Sequence, residues 1–243
     1  MNWLSYRLKT GLLGIKALVD ARRSGHRRVT VDGDEYRFVI DSTAAAWELR
    51  FVHELERPFY EAILDEIDEE TVFYDIGANM GFYTLLAGQH GDRVIGFEPH
   101  PAARDLLLRN IGLNGMMDDH IYRIGISDEE TTAGVTDPYT FGTASLDPDG
   151  DMIDVRSLDQ VRDQDELPFP DIVKIDVEGH ELAVLRGMED TLVGAEPILF
   201  IEAHQGDHDV KQFVQEHGYT WEPIMHRPDG NVLGRADPKQ NSS

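Results

Sequence analysis

A chain of 243 residues, 41% hydrophobic and 9% aromatic, can bury one substantial core, and α/β chains of this length commonly form a single catalytic-size unit. Its 46 Asp and Glu against 22 Lys and Arg leave a formal charge of -24, which repels polyanions and excludes nucleic acid as the expected partner. Cysteine is absent, so disulfides, thiolate metal sites and thiol nucleophiles are excluded, and any base must be oxygen or imidazole. The carboxylates recur in clusters such as Asp65-Glu66-Ile67-Asp68-Glu69-Glu70, as expected of a halophilic surface kept soluble in a high-salt interior. No apolar run is long enough to span a bilayer and the first 20 residues have no uninterrupted apolar stretch with a cleavage site, so the expected location is cytoplasmic.

The first element runs against the general acidity. Arg7, Lys9, Lys16, Arg22, Arg23, Arg27 and Arg28 accompany the single acid Asp20, beside Trp3, Leu4, Leu8, Leu12, Ile15, Leu18 and Val19 at helical spacing. This basic helix is expected to dock on the acidic body of its own protein or a second subunit, with a peripheral membrane contact as the alternative. Val29-Thr30-Val31 and Tyr36 to Ile40 flank Asp32-Gly33-Asp34 and read as a hairpin. Apolar positions from Trp47 to Ile67 then recur at spacings of three or four, a helical pattern broken near Pro58.

From residue 71 strand and helix alternate: strand Thr71 to Ile76, helix 82 to 89, strand Arg93 to Phe97, helix 101 to 113, strand His120 to Ile124. A polar stretch from 126 to 151, too long for an ordinary connection, reads as an active-site loop. Within it Phe141-Gly142-Thr143-Ala144-Ser145-Leu146 is expected to line the acceptor pocket. A short segment, Met152 to Leu158, follows. The alternation resumes with strand Asp171 to Asp176, helix 178 to 192, strand Pro197 to Glu202, helix 208 to 217, strand Tyr219 to Met225 and a last strand near Val232-Leu233. Such a pattern predicts a mostly parallel sheet covered by helices on both faces. Asn241-Ser242-Ser243 matches a glycosylation sequon at a terminus and carries no weight here.

The strand before Asp75-Ile76-Gly77-Ala78-Asn79-Met80-Gly81 ends in a glycine-bearing turn that opens a helix, at the edge where open α/β sheets bind ligands. Gly77 and Gly81 let the backbone turn and approach a ligand, and Asp75 can accept from an ammonium or a loop amide. The dinucleotide pattern is missing, because Asn79 and Phe82 stand where its second and third glycines would be. The next strand ends in Glu98, placed for the two hydroxyls of a ribose.

Together with Phe97-Glu98-Pro99-His100-Pro101 and Ile172-Val173-Lys174-Ile175-Asp176-Val177-Glu178-Gly179-His180-Glu181, the turn resembles the signature blocks of the FkbM-type methyltransferases, across about residues 71 to 204. The resemblance implies a Rossmann-like, class I methyltransferase fold with a seven-stranded, mostly parallel sheet, and S-adenosyl-L-methionine as cofactor. It divides the chain into residues 1-70, holding the basic helix, hairpin and lead-in helix, and residues 71-243, the methyltransferase domain. By motif match, Asp75, Gly77, Ala78, Asn79, Gly81, Tyr83, Thr84, Glu98, Pro99 and Asp176 would surround the cofactor, with Ser127 or Asp128 near the adenine.

Methyl transfer from a sulfonium needs chiefly an aligned acceptor and, for a hydroxyl, a base. Asp176, Glu178, Glu202 and His204 follow or end two adjacent strands beside the cofactor, so His204, Glu178 and Asp176 are the catalytic candidates, His204 as general base. Such a set could hold a divalent metal, but without a compact spacing motif no metal ligands are assigned. Lys174 is expected to reach a carboxylate or point to an edge, Glu181 to be solvated or paired on its helix, and His100 to cap the next helix. The expected acceptor is a hydroxyl of a sugar, glycan or small polar metabolite. A noncatalytic S-adenosylmethionine-binding module and an NAD-dependent enzyme are the alternatives.

Overall fold

The computed structural model describes residues 25–117, 120–135 and 150–239. Residues 1–24 of the expected basic helix, the Phe141 to Leu146 segment and the terminal sequon lie outside them, while Arg27 and Arg28, expected in that helix, belong to the first strand because they pair across the hairpin with Phe38 and Arg37.

Strands β1 (His26–Val31) and β2 (Asp34–Val39) pair antiparallel with Val31 opposite Asp34. Asp32 and Gly33 both take positive φ, 48° and 93°, which the tight two-residue hairpin turn requires. Val29, Val31, Tyr36 and Phe38 alternate inward. Helix α1 (Thr43–Leu55) is capped by Ser42, whose hydroxyl accepts from the Ala45 amide at 3.0 Å, and α2 (Arg57–Leu64) restarts with Pro58 in its first turn. The expected break near Pro58 falls at Glu56.

The main sheet contains β3 (Val72–Ile76), β4 (Arg93–Phe97), β5 (Ile121–Tyr122), β9 (Ile172–Ile175), β10 (Ile198–Ala203), β11 (Tyr219–His226) and β12 (Val232–Pro238), in spatial order β11-β12-β10-β9-β3-β4-β5. Only β12 runs opposite to the other six strands, so the sheet has seven strands and is mostly parallel, as expected. Alternate residues sort to two cores. Phe73, Ile172, Phe200 and Leu233 pack with α2, α3 (Phe82–His90), α4 (Pro101–Leu113) and the hairpin. Tyr74, Ile76, Val173, Ile175, Leu199 and Ile201 pack with α5 (Leu158–Gln164), α6 (Glu181–Arg186), α7 (Glu189–Ala195) and α8 (His208–Glu216). Burying both faces is what makes these strands near-continuous apolar runs.

The fully buried Asn110 of α4 ties the N-terminal unit to the cofactor turn: its carbonyl accepts from the Val39 amide at 2.7 Å and its amide donates to the Met80 carbonyl at 2.8 Å. Asn114 adds a reciprocal pair with the backbone of Arg37. Among the described residues no helix is long and apolar enough to cross a membrane.

Four expectations of the sequence are corrected. The strand His120 to Ile124 divides at Arg123 into β5 of the main sheet and β6 (Ile124–Ile126), which joins β8 (Asp151–Arg156) and β7 (Thr131–Val135) in a second sheet of order β6-β8-β7. The polar stretch after 126 is therefore partly strand, held by a small cluster of Val135, Ile153 and Val155 that its Asp and Gly content hides. The single helix 178 to 192 is instead α6 and α7. Glu178 and Gly179 take φ of 53° and 94°, outside the helical region, and Gly187 between the two helices lies so near Ser127 that an added Cβ would meet its carbonyl oxygen at 1.8 Å. The last strand is seven residues long because it pairs on both sides, with β10 and β11.

Candidate functional site

The site lies at the carboxyl ends of β3, β4, β9 and β10. The turn after β3 folds against β4, where the Gly77 and Ala78 amides both donate to the Phe97 carbonyl, at 2.9 and 3.1 Å. Gly77 has φ +78°, and an added Cβ would stand 1.9 Å from the Asp176 carbonyl oxygen; Gly81 has φ +88° with Leu107 packed against it. These glycines are needed for close approach as well as for conformation.

Asp75 is fully buried and paired within the protein: Thr84 Oγ1 donates to Oδ2 at 2.6 Å, and Lys174 Nζ lies 3.2 Å from Oδ1. Lys174 also donates to the Gly77 carbonyl at 2.9 Å and sits 3.7 Å from Asp176 Oδ2. Burial disfavours its ammonium, but Asp75 and Asp176 outweigh that and raise its pKa. Of the two expectations for Lys174, it reaches a carboxylate. Tyr83 points to Glu56, donating to Oε2 at 2.7 Å.

Glu98 is buried and oriented from both sides, Oε2 accepting from the Asn79 amide and Oε1 from the His100 amide, each at 2.8 Å. Burial pushes its pKa up to about 7 against those two amides. Pro99 is half-buried in the intervening turn, and the His100 ring caps α4, accepting from the Ala102 amide at 3.2 Å. The side-chain oxygen of Asn79, a residue at φ 48°, is buried without a hydrogen-bond partner. An orphaned acceptor beside a glycine turn and an oriented carboxylate on the next strand fit the ammonium and the ribose of S-adenosylmethionine. Ser127, after β6 of the second sheet, bonds Asp128 and the His180 ring, both at 3.2 Å.

The ends of β9 and β10 carry the other half. His204 lies between three carboxylates: Nδ1 is 2.7 Å from Glu181 Oε1, and Nε2 is 3.0 Å from Glu178 Oε2 and 3.5 Å from Glu202 Oε1. Glu181 is buried, accepting also from the Gly179 amide at 2.7 Å, so it is neither solvated nor paired only on its helix. Glu178 does not serve a helix dipole, because the helix begins three residues later. Burial opposes the imidazolium, but the hydrogen bonds to Glu178 and Glu181 and the charges of Asp176 and Glu202 raise the ring's pKa to about 11.

Residues that the local pattern does not mark complete this half. Arg227, from the β11–β12 turn, donates through Nη1 to Glu202 and, at 3.1 Å, to Glu56, while its guanidinium stacks 4.3 Å above the Phe51 ring. Asn231 Nδ2 donates to Glu202 at 2.8 Å. Burial raises Glu56 and Glu202 despite Arg227, and burial followed by the charge of Glu56 lifts Glu48 to about 8. The only local hint was the turn signal Arg227-Pro228-Asp229-Gly230; its partner Glu56 is 171 positions away. Asp176, Glu202 and His204 offer atoms within 4.8 Å of one another, but Glu202 is already engaged by Arg227 and Asn231, and no metal ligands are assigned.

The methyltransferase FkbM domain family matches residues 75–220. Hexuronic acid methyltransferase AglP of Haloferax volcanii is 30% identical over 239 residues, covering 96% of this chain and 94% of that protein. A methyltransferase FkbM structure from Methylobacillus flagellatus KT shares the fold with a TM-score of 0.53 at 18% identity, across 82% of this chain and 55% of that one. The precorrin-6y C5,15-methyltransferase of Geobacter metallireducens GS-15 shares it with a TM-score of 0.50 at 15% identity, across 79% and 92%.

Proposed function

This chain belongs to the FkbM family of S-adenosylmethionine-dependent methyltransferases, and on that premise we propose that it methylates a hydroxyl of a hexuronic acid, free or within a glycan. Membership decides against the NAD-dependent and noncatalytic alternatives. The single observation that carries the acceptor class is the likeness to the Haloferax volcanii hexuronic acid methyltransferase over nearly the whole of both chains, including the N-terminal unit that the family match leaves out.

When bound, S-adenosylmethionine supplies a methyl group already activated on sulfonium. Asn79 receives its ammonium, Gly77, Ala78 and Gly81 give backbone room beneath it, and Glu98 accepts from the ribose hydroxyls. Pro99 and Ser127 border the adenine side. Asp75 acts from behind, holding Lys174 and Thr84, and Lys174 in turn fixes the Gly77 carbonyl. Tyr83 extends the same support to Glu56. Asp176, Glu178 and His204 face the acceptor, and holding it in line is the largest contribution such a site makes.

The excess of acid fits a protein working in concentrated salt; a melting temperature unchanged between roughly 0.2 and 2 M KCl removes that reading. The basic N-terminal segment fits a contact with the protein's own acidic surface or a second subunit.

The test is incubation of the full chain with S-adenosylmethionine and matched panels of hexuronic acid glycosides and neutral hexosides, followed by mass spectrometry. Gain of one CH2 on the uronic acids, at a hydroxyl, is the expected result. Methylation of the neutral sugars alone overturns the acceptor class.

A further inference from the structure

We propose that His204 is a doubly protonated positioning residue and that Asp176 is the carboxylate that receives the acceptor's proton. The inference deepens the hydroxyl-methylation reading above and rests on it for the part played by Asp176.

The geometry of the ring decides its protonation. A neutral imidazole has one N–H and one lone pair, so a ring with a carboxylate at each nitrogen would set a lone pair against a carboxylate oxygen. Only the imidazolium donates on both sides, to Glu181 at 2.7 Å and to Glu178 at 3.0 Å. Glu181 is itself fixed by the Gly179 amide, so the ring cannot escape by moving that carboxylate. Asp176 and Glu202 add further negative charge, and Arg227 reaches the ring only through Glu202, which it partly neutralises. An imidazolium has no lone pair with which to take a proton. Its part is to hold Glu178, which sits at φ 53° in the connection after β9, against the end of β10.

The same census assigns the base. Glu202 is buried and engaged by Arg227 and Asn231; Glu178 is engaged by the ring. Asp176 retains 29% side-chain exposure, and its side chain's one polar contact among the described residues is Lys174 Nζ at 3.7 Å. Its carbonyl adjoins the Gly77 turn, so the residue stands between the cofactor half and the acceptor half. The proton of the acceptor hydroxyl passes to an Asp176 oxygen as the hydroxyl oxygen bonds the methyl carbon, the electron pair of the broken carbon–sulfur bond stays on sulfur, and Asp176 then releases the proton to water.

The full chain labelled with 15N-histidine, with His204 assigned through His204→Gln, reports the ring directly by NMR. Both nitrogens are expected to be protonated from about pH 6 to 9, and Glu178→Gln or Glu181→Gln should each lower the ring's pKa by roughly 1–2 units. A neutral ring near pH 7.5, titrating at about its ordinary value, overturns the His204 assignment. Asp176→Asn should bind S-adenosylhomocysteine within about threefold of the parent by calorimetry while turnover of a hydroxyl acceptor falls by ~10²–10⁴. Turnover within tenfold of the parent overturns the Asp176 assignment. If the parent methylates only a carboxylate, or no uronic acid, that assignment falls with the acceptor reading, while the ring measurement still decides His204.

Discussion

At the carboxyl ends of β3 and β4 most polar groups answer to near neighbours, Lys174 of β9 being the exception, whereas at the ends of β9 and β10 they answer also to residues from α1 and the β11–β12 turn. The first half is organised through backbone: amides of residues 77 to 79 donate to Phe97 and Glu98, with glycines where a Cβ would collide. Buried and half-buried side chains make the second, with Glu48 and Glu56 brought from α1 and its end, and Arg227 and Asn231 from the β11–β12 turn. On the proposed reading, a compact glycine turn meets the cofactor and side chains gathered from distant elements meet the acceptor.

The strongest way to break this contrast is to remove Arg227. Arg227→Met leaves Glu56 and Glu202 buried without their counter-charge and should cost roughly 3–5 kcal/mol in urea unfolding. Both carboxyls have folded pKa values above their unfolded ones, so the folded state holds protons that the unfolded state releases. The loss should therefore be greater at pH 8 than at pH 5. A variant as stable as the parent would show that the second half is not held by its ions.

Gly77→Ala tests the backbone half. Strain at φ +78° and a Cβ 1.9 Å from the Asp176 carbonyl oxygen should together cost about 2–4 kcal/mol and weaken binding of S-adenosylhomocysteine. Gly179→Ala is the control: with φ +94° and nothing within 4 Å of its Cβ, it should cost only about 1–2 kcal/mol. Equal losses would mean that close approach at Gly77 is unimportant.

A smaller effect reads Glu98. The ionised form accepts from ribose hydroxyls, and its pKa is about 7 before the cofactor binds, so affinity should fall as pH drops below 7, to about tenfold weaker at pH 6 than at pH 8. Glu98→Gln should bind weakly and without that dependence, by calorimetry across pH. The smallest change is Glu48→Gln. With a folded pKa of about 8, above the unfolded value, the parent loses stability between about pH 4.5 and 8; the variant should match it near pH 4.5 and exceed it increasingly up to pH 8. Thermal melts at three pH values suffice to see it.

The cofactor half was legible because its residues act within one turn and the next strand. Gly77, Asn79 and Glu98 stand where the local pattern puts them, and strand-helix alternation placed them at one sheet edge. Misreadings arose where contact at a distance overrides local pattern. Gly187 divides a helix because Ser127 passes beneath it, and Val135 and Val155 make strand of a stretch rich in Asp and Gly. Glu181 read as solvated or paired on its helix because its partner, His204, is 23 positions on.

From its amino-acid sequence alone this protein had its period of buried strands, its glycine turn and the acid after β4, features set by sterics and hydrogen bonding within a few residues. Tertiary structure alone decided which charges face one another at the ends of β9 and β10. Whether His204 keeps a lone pair depends on Glu178 and Glu181 lying on either side of it, and whether Glu202 is free depends on Arg227. The pKa of a buried group is fixed by which charges stand within a few ångströms, and chain order does not carry that distance.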